Sequence, residues 1–168
     1  DTTWSRGLGD VYKRQPFMQK KTRTPCVGIC STTYGDEVCR GCKRFYFEVI
    51  NWNKYDEDEK DAIWTRLESL KTQIIYSKIK KINSKKLSTK IAELDLKIKT
   101  DLNEYCQIFD LIKLVSESFE DLSDFGITFH DESMNLEILK RDLEEELLAL
   151  SDAHYSKYFK DPLEQKKA

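Results

Sequence analysis

Apolar residues recur at helical spacing along much of the chain. After Asp56 they return every three or four positions, which predicts an amphipathic helix from 56 to about 82. Glu59 stands three residues after Asp56, as in a capping box, and marks the start of this helix. The predicted buried face consists of Ile63, Leu67, Leu70 and Ile74, widened by Trp64 and Tyr76.

Two further amphipathic helices are predicted in the second half of the chain, at 102 to about 125 and at 134 to about 153. Gly126 can end the first of them, and Asp131 or Ser133 can cap the second. The residues predicted to face inward are Tyr105, Ile108, Phe109, Ile112, Val115 and Phe119, and then Leu136, Leu139, Leu143, Leu147 and Leu150. A helical bundle is therefore expected.

A short helix is also predicted in KRFYFEVINW, residues 43–52. Core packing against the preceding loop is the favoured use of its aromatic side chains. Because they are interleaved with lysine and arginine, a stacking platform for nucleic acid is the alternative.

The loop before this short helix holds four of the five cysteines of the chain, in the spacing C-x3-C-x8-C-x2-C. Tyr34, Gly35 and Asp36 suit a chain reversal between the two pairs, and Gly28 and Gly41 allow tight or left-handed backbone within them. Four thiolates suit a structural zinc ion or an iron–sulfur cluster. The candidate metal ligands are Cys26, Cys30, Cys39 and Cys42.

Composition points to a cytoplasmic protein. The 168 residues contain 35% charged and 39% hydrophobic side chains, and no stretch is apolar enough for a membrane span or a secretory signal. Cytosolic thiols are kept reduced, so a metal site is favoured over two disulfides or four free thiols. A thiol–disulfide enzyme using Cys39 and Cys42 is a third alternative, which needs a low-pKa thiolate and no bound metal.

Residues 1–17 are set apart from this interpretation. The segment DTTWSRGLGDVYKRQ resembles translated adaptor sequence, and a disordered tail is the alternative. Its glycines do not form a phosphate loop, because no strand precedes them and no Lys-Ser/Thr follows.

Charge is unevenly distributed along the chain. Nine lysines and two acidic residues lie between 71 and 99, whereas fifteen acidic and three basic residues lie between 101 and 152. The basic strip at 71–99 is predicted to be solvated or paired within the molecule, with a nucleic-acid patch as the disfavoured alternative.

The fifth cysteine, the two histidines and the closing aromatic residues are predicted to have structural roles. Cys106 lies on the apolar side of its helix and is predicted to be a small buried residue. His130 and His154 have no evident nucleophile partner and are expected in loops or at the surface. The closing HYSKYF, residues 154–159, is predicted to fold back over the bundle, with an aromatic hook for a partner as the alternative.

The segment from Thr24 to about Leu70 resembles the bacterial family named domain of unknown function 1289, often labelled a predicted iron–sulfur protein. The resemblance includes the four cysteines, Pro25, the Cys-Arg-Gly-Cys sequence and Trp52. It implies that the four cysteines are the ligands. NEYCQIFDL and LSDAHYSKYF are more loosely similar to longer proteobacterial members.

Taken together, the sequence predicts a mainly α protein with a small four-cysteine metal-binding module at 24–55 and an α-helical body at 56–160. No catalytic constellation is visible, so a non-catalytic protein acting through a protein partner is expected. An iron–sulfur cluster would imply electron transfer or redox sensing. A zinc ion would imply a scaffold for protein or nucleic-acid contacts.

Overall fold

Five α-helices and two short strands are present in residues 23–160, which are the residues that the computed structural model describes. The segment predicted to be adaptor-derived, 1–17, lies outside them. The prediction of a mainly helical protein is confirmed. The elements are α1 (Tyr46–Asn51), α2 (Glu57–Lys78), β1 (Ile79–Ile82), α3 (Ser84–Glu93), α4 (Glu104–Val115), β2 (Ile127–Phe129) and α5 (Leu136–Tyr155).

Helix α2 begins as the sequence predicts. The Asp56 carboxylate accepts a hydrogen bond from the Glu59 N–H at 2.8 Å, and the Glu59 carboxylate accepts one from the Asp56 N–H at 3.3 Å. This reciprocal pair satisfies two N–H groups that the first helical turn leaves without partners. The four aliphatic residues predicted on its inner face are all buried and Trp64 is half-buried, but the prediction for Tyr76 is wrong, because its side chain is 68% exposed.

The predicted end of α2 near Ile82 is wrong, because the helix stops at Lys78 and the next four residues form β1. β1 pairs antiparallel with β2, with Ile79 opposite Phe129 and Ile82 opposite Ile127. The partner strand lies in the segment predicted as a break between helices. A local pattern cannot reveal this pairing, since the two strands are distant in sequence.

Asn83, just past the predicted end of the first long helix, begins a new helix. Its side chain accepts a hydrogen bond from the Lys86 N–H at 3.1 Å and so caps α3. Leu87 and Ile91 are buried on the inner side of α3. The basic strip therefore contains a helix that was not predicted.

Helix α4 is shorter than predicted, ending at Val115 rather than near Phe125. The apolar pattern continues past this end because Leu122 and Phe125 are buried from a turn instead. Gly126 ends that turn, at φ +78°, rather than the helix. Helix α5 is capped by Asn135, not by Asp131 or Ser133.

The main core lies where α2 packs against α4 and α5, with α3 and the two strands along its side. Two smaller clusters join the N-terminal segment to this body. One contains Val38, Phe45 and Tyr155, and the other contains Trp52, Ile63 and Leu67. None of the helices within residues 23–160 combines the length and apolar character needed to cross a membrane.

Candidate functional site

The second cysteine pair lies in a tight hairpin loop. Val38 and Phe45 form an antiparallel bridge, and the loop between them is closed by two backbone hydrogen bonds. The Cys39 N–H donates to the Arg44 carbonyl at 2.9 Å, and the Lys43 N–H donates to the Cys39 carbonyl at 2.8 Å. We call residues 39–44 the knuckle loop.

A glycine is required at position 41 by close packing. A Cβ atom there would lie 2.7 Å from the Ile29 carbonyl oxygen and 2.8 Å from the Val27 side chain. The knuckle loop can therefore lie directly against residues 27–29, between the first two cysteines. The left-handed residue of the loop is Lys43, at φ +63°, rather than Gly41.

We call residues 26–44 the cysteine segment. Cys39 is its least exposed cysteine, with only 1% of the residue surface exposed. Burial acts to raise the pKa of this thiol, but hydrogen bonds from backbone N–H groups of Cys42, Ser31 and Gly41 outweigh it and lower the pKa to about 7. The sulfur also lies 3.5 Å from the Ile29 carbonyl oxygen. The N–H groups thus favour the thiolate form of Cys39 more than its burial alone would allow.

Cys42 receives a charged hydrogen bond. The Arg44 guanidinium donates to its sulfur at 3.2 Å and also lies over the Trp52 ring, 4.8 Å from its centroid. Burial raises the pKa of the Cys42 thiol, and Arg44 opposes that shift. Of the three cations in the knuckle loop, Arg44 is the one that contacts a sulfur; Arg40 pairs with Asp36 at 3.2 Å, and Lys43 pairs with Glu144.

The first cysteine pair is more open. Cys26 is exposed, and its sulfur accepts a hydrogen bond from the Gly28 N–H at 3.3 Å. Gly28 is left-handed, at φ +97°, as the sequence allows. Cys30 is half-buried, and a hydrogen bond with the Thr32 hydroxyl lowers its pKa. A 3-10 turn, Ser31–Tyr34, then reverses the chain and ends at left-handed Gly35, which confirms the predicted reversal.

The structure brings the predicted ligands only partly together. A Cys39 charge acts against ionisation of Cys30 and Cys42, but it is a minor influence: Thr32 lowers the pKa of Cys30 overall, and burial is the main cause that raises the pKa of Cys42. Within residues 23–160, however, no group of three or more His, Cys, Asp or Glu side chains is placed to hold a metal ion. All five cysteines are free thiols.

Cys106 lies apart from this segment, in the packing between α4 and α2. It is fully buried, and its thiol donates to the Glu68 carbonyl at 3.3 Å. Burial raises its pKa. The prediction of a small buried residue is confirmed.

The closing aromatic segment continues α5 as a further helical turn, Ser156–Lys160, so the prediction that it folds back over the bundle is wrong; its rings pack beside the knuckle loop. The Tyr155 ring lies 5.5 Å from the Phe45 ring, and the Phe159 ring lies 5.3 Å from Phe45 and 5.0 Å from Phe47. α1 and the knuckle loop are thereby held against the end of α5.

The basic strip is partly paired and partly solvated. Lys71 lies 3.5 Å from Asp110, and Lys78 lies 2.6 Å from Glu146, so two of its lysines pair with the acidic half. Lys80, Lys81 and Lys85 are exposed. The two histidines lie far apart: His130 is exposed after β2, and His154 lies against Tyr158 near the end of α5.

Two ion pairs that join the N-terminal segment to the helical body were not predicted from the sequence. Lys43 is 2% exposed and contacts Glu144 of α5, and Arg66 of α2 binds the buried Glu48 carboxylate through two hydrogen bonds of 2.7 Å. In the sequence these residues are ordinary charged positions. Of these residues, only Glu48 could have been singled out from the sequence, because its side chain also accepts a hydrogen bond from the nearby Phe45 N–H at the start of α1.

Fold and site together define a mainly helical protein with a cysteine-containing hairpin segment docked at the end of its helical body. Residues 24–71 match the family model described as "Protein of unknown function (DUF1289)". This match confirms the predicted family resemblance for that segment; the looser resemblance of NEYCQIFDL and LSDAHYSKYF lies beyond it and stays a prediction. No curated protein and no solved structure matches the chain.

Proposed function

We propose that Cys26, Cys30, Cys39 and Cys42 hold one metal centre, and that the protein acts through it without catalysing a reaction. An iron–sulfur cluster is the first candidate, with a role in electron transfer or redox sensing in the cytoplasm. A zinc ion that makes the segment a scaffold for protein or nucleic-acid contacts is the second.

The observation that carries this proposal is the knuckle loop. In this loop, backbone N–H groups of Cys42 and Gly41 lower the pKa of Cys39 against the effect of burial, and the Arg44 guanidinium donates a hydrogen bond to the Cys42 sulfur. N–H groups and cations directed at sulfur stabilise thiolates, which are the form that binds metal. Because residue 41 is glycine, the knuckle loop packs against residues 27–29. In each cysteine pair, one cysteine precedes and the other follows the residues that form this contact.

The donor set fits either group, because four thiolates suit both tetrahedral zinc and an iron–sulfur cluster. Binding would require the four sulfurs to come closer together, because no three of them are placed to hold a metal ion within residues 23–160. When bound, a cluster would supply one-electron transfer, whereas zinc would supply only structural stability.

Action through a protein partner is supported by the surface beside the cysteines. Val27, Ile29 and Tyr34 are exposed, with Tyr34 at 90%. All three lie between Cys26 and Cys39 in the sequence. Tyrosine is a typical anchor of protein interfaces, so Tyr34 is the expected contact residue.

The test is to express the chain without oxygen in medium containing iron and zinc, and to measure metal, inorganic sulfide and visible absorbance. Iron, sulfide and a brown spectrum would support the redox role. About one zinc per chain without colour would support the contact role. Protein that contains neither metal would contradict the proposal.

A pair of matched substitutions checks the ligand set. Cys39→Ala is expected to abolish metal retention, because it removes the most enclosed thiol of the segment. Cys106→Ala serves as the control and should keep the wild-type metal content, since Cys106 lies between α2 and α4. Equal metal loss in both variants would count against a site formed by the four clustered cysteines.

A further inference from the structure

A cleft of about 240 Å³ lies between the knuckle loop and the helical body. We call it the junction cleft. Residues 41–43 of the knuckle loop form one wall, and side chains from α2, α4 and α5 form the others. The loop before α4 contributes Lys97 and Lys99. The knuckle loop, α2, α4, α5 and the loop before α4 therefore all meet at this cleft.

Cationic side chains predominate in the lining of the junction cleft. They outnumber the carboxylates by six to three. The cations are Arg23, Lys43, Lys71, Lys97, Lys99 and Lys113. The carboxylates are Glu68, Asp110 and Glu144.

Existing contacts leave a smaller excess of positive charge, because Lys97 also lies 3.5 Å from Asp95, which is outside the cleft lining. Glu144 is shared by two ammonium groups, since Lys43 contacts it and Lys113 lies 3.0 Å from it. Lys71 pairs with Asp110. Lys99 lies over the Trp64 ring, 4.3 Å from its centroid. A concave surface with a low-dielectric wall and an excess of one sign concentrates ions of the opposite sign.

The same cleft also has apolar walls. Trp64 and Leu67 of α2, Phe109 of α4 and Leu147 of α5 line it. Its volume is below the roughly 300–1,000 Å³ of drug-sized ligand pockets, so the fitting molecule is small. A bare inorganic ion would leave these apolar walls without a partner.

We propose that the junction cleft binds a small organic anion, whose carboxylate or phosphate group is held by the lysines and whose apolar body contacts Trp64 and Leu67. This site is distinct from the proposed metal centre, although Cys42 and Lys43 place the two side by side. A ligand bound here would contact the knuckle loop and all three long helices at once.

The test is calorimetric titration of the full chain, as purified, with benzoate and phenyl phosphate in about 0.1 M salt. Binding of either anion at concentrations below about 10 mM is expected, and benzyl alcohol, their neutral counterpart, should bind at least about tenfold more weakly. Preference for one anion would assign the headgroup as carboxylate or phosphate.

Substitutions locate the binding to the cleft. Lys99→Gln and Lys113→Gln are each expected to weaken binding by about tenfold, because each removes a charged hydrogen-bond donor. Lys85→Gln, at an exposed position of α3 outside the cleft, is the matched control and should leave affinity unchanged.

Three results would overturn this site: no binding of either anion at about 10 mM, equal binding of benzyl alcohol, or equal weakening by Lys85→Gln. Inorganic phosphate binding as tightly as phenyl phosphate would refute the apolar contact. Because the titration measures neither metal nor colour, its failure is distinguishable from failure of the proposed metal centre.

Discussion

At the scale of single residues, Lys43 is unusual because its charged side chain is buried. It follows Cys42, has left-handed backbone at φ +63°, and buries its ammonium group against Glu144 of α5. A left-handed conformation costs a non-glycine residue roughly 1–2 kcal/mol. The ion pair provides a reason for this conformation, since it directs the lysine away from the thiols and into the helical body.

Replacing Glu144 with glutamine is expected to lower the free energy of unfolding by about 3 kcal/mol, because it leaves the buried Lys43 charge uncompensated. Urea denaturation at neutral pH measures the loss. Glu145→Gln, at the exposed neighbouring position of α5, should change stability by less than about 0.5 kcal/mol. Equal effects of the two substitutions would show that the pair does not stabilise the fold.

The same pair predicts a pH dependence. Burial acts to raise the pKa of Glu144, but the hydrogen bond and charge of Lys43, followed by those of Lys113, lower it below its ordinary value of 4.5. A depressed carboxyl pKa stabilises the fold above the unfolded-state value and loses that effect as the pH falls through the folded-state value. The stability difference between wild type and Glu144→Gln should therefore shrink below pH 4.5.

At the scale of elements, the N-terminal segment is docked by aromatic packing. Phe45 is 1% exposed and contacts Tyr155 and Phe159 from the end of α5. The Arg66 guanidinium of α2 covers its other side, 4.0 Å from the ring centroid. The metal ligands would thus be attached to a segment that already buries an apolar core of its own.

Phe45→Ala is expected to lower the free energy of unfolding by about 4 kcal/mol, as is typical of a fully buried phenylalanine. Chemical denaturation followed by circular dichroism measures this change. Tyr34→Ala provides the control, because Tyr34 belongs to the same segment but is 90% exposed, and it should be nearly neutral. A loss below about 1 kcal/mol for Phe45→Ala would mean that the docking seen here contributes little.

The helix boundaries show which structural features can be predicted from short-range sequence patterns. The start of α2 was predictable because Asp56 and Glu59 cap it within four residues of each other. Its end was not, because Lys78 is followed by neither glycine nor proline and the helix stops where Ile79 pairs with Phe129. Asn83 follows the predicted helix end directly, but only the fold shows that it starts α3.

At the scale of the whole molecule, a resident metal should stabilise the cysteine segment selectively. Metal-binding free energy becomes folding free energy for the residues it orders. Adding a chelator to the metal-loaded protein is expected to speed hydrogen exchange of the amides in residues 26–44. The core amides of α4, Ile108–Ile112, should keep their protection because packing against α2 and α5 holds them.

Mass-spectrometric hydrogen exchange would measure both regions in one experiment. Cys39→Ala, which is expected to hold no metal, should show fast exchange in residues 26–44 with or without chelator. Slow exchange there after complete metal removal would show that the packing of Val38 and Phe45 suffices to order the segment.

The sequence by itself determined the features that depend on neighbouring positions. These are the paired cysteines, the reversal at Gly35, the helical class, the inner faces of the three long helices and the capped start of α2. Hydrophobic periodicity, turn chemistry and capping all operate within a few residues, so a single chain displays them directly.

Only the tertiary structure decided which distant residues meet. It paired β1 with β2, placed Glu144 beside Lys43, and gathered lysines from several elements around the junction cleft. It also placed the rings of Tyr155 and Phe159 against Phe45. These contacts join positions separated by tens of residues, and their energies depend on burial and proximity that no local pattern encodes.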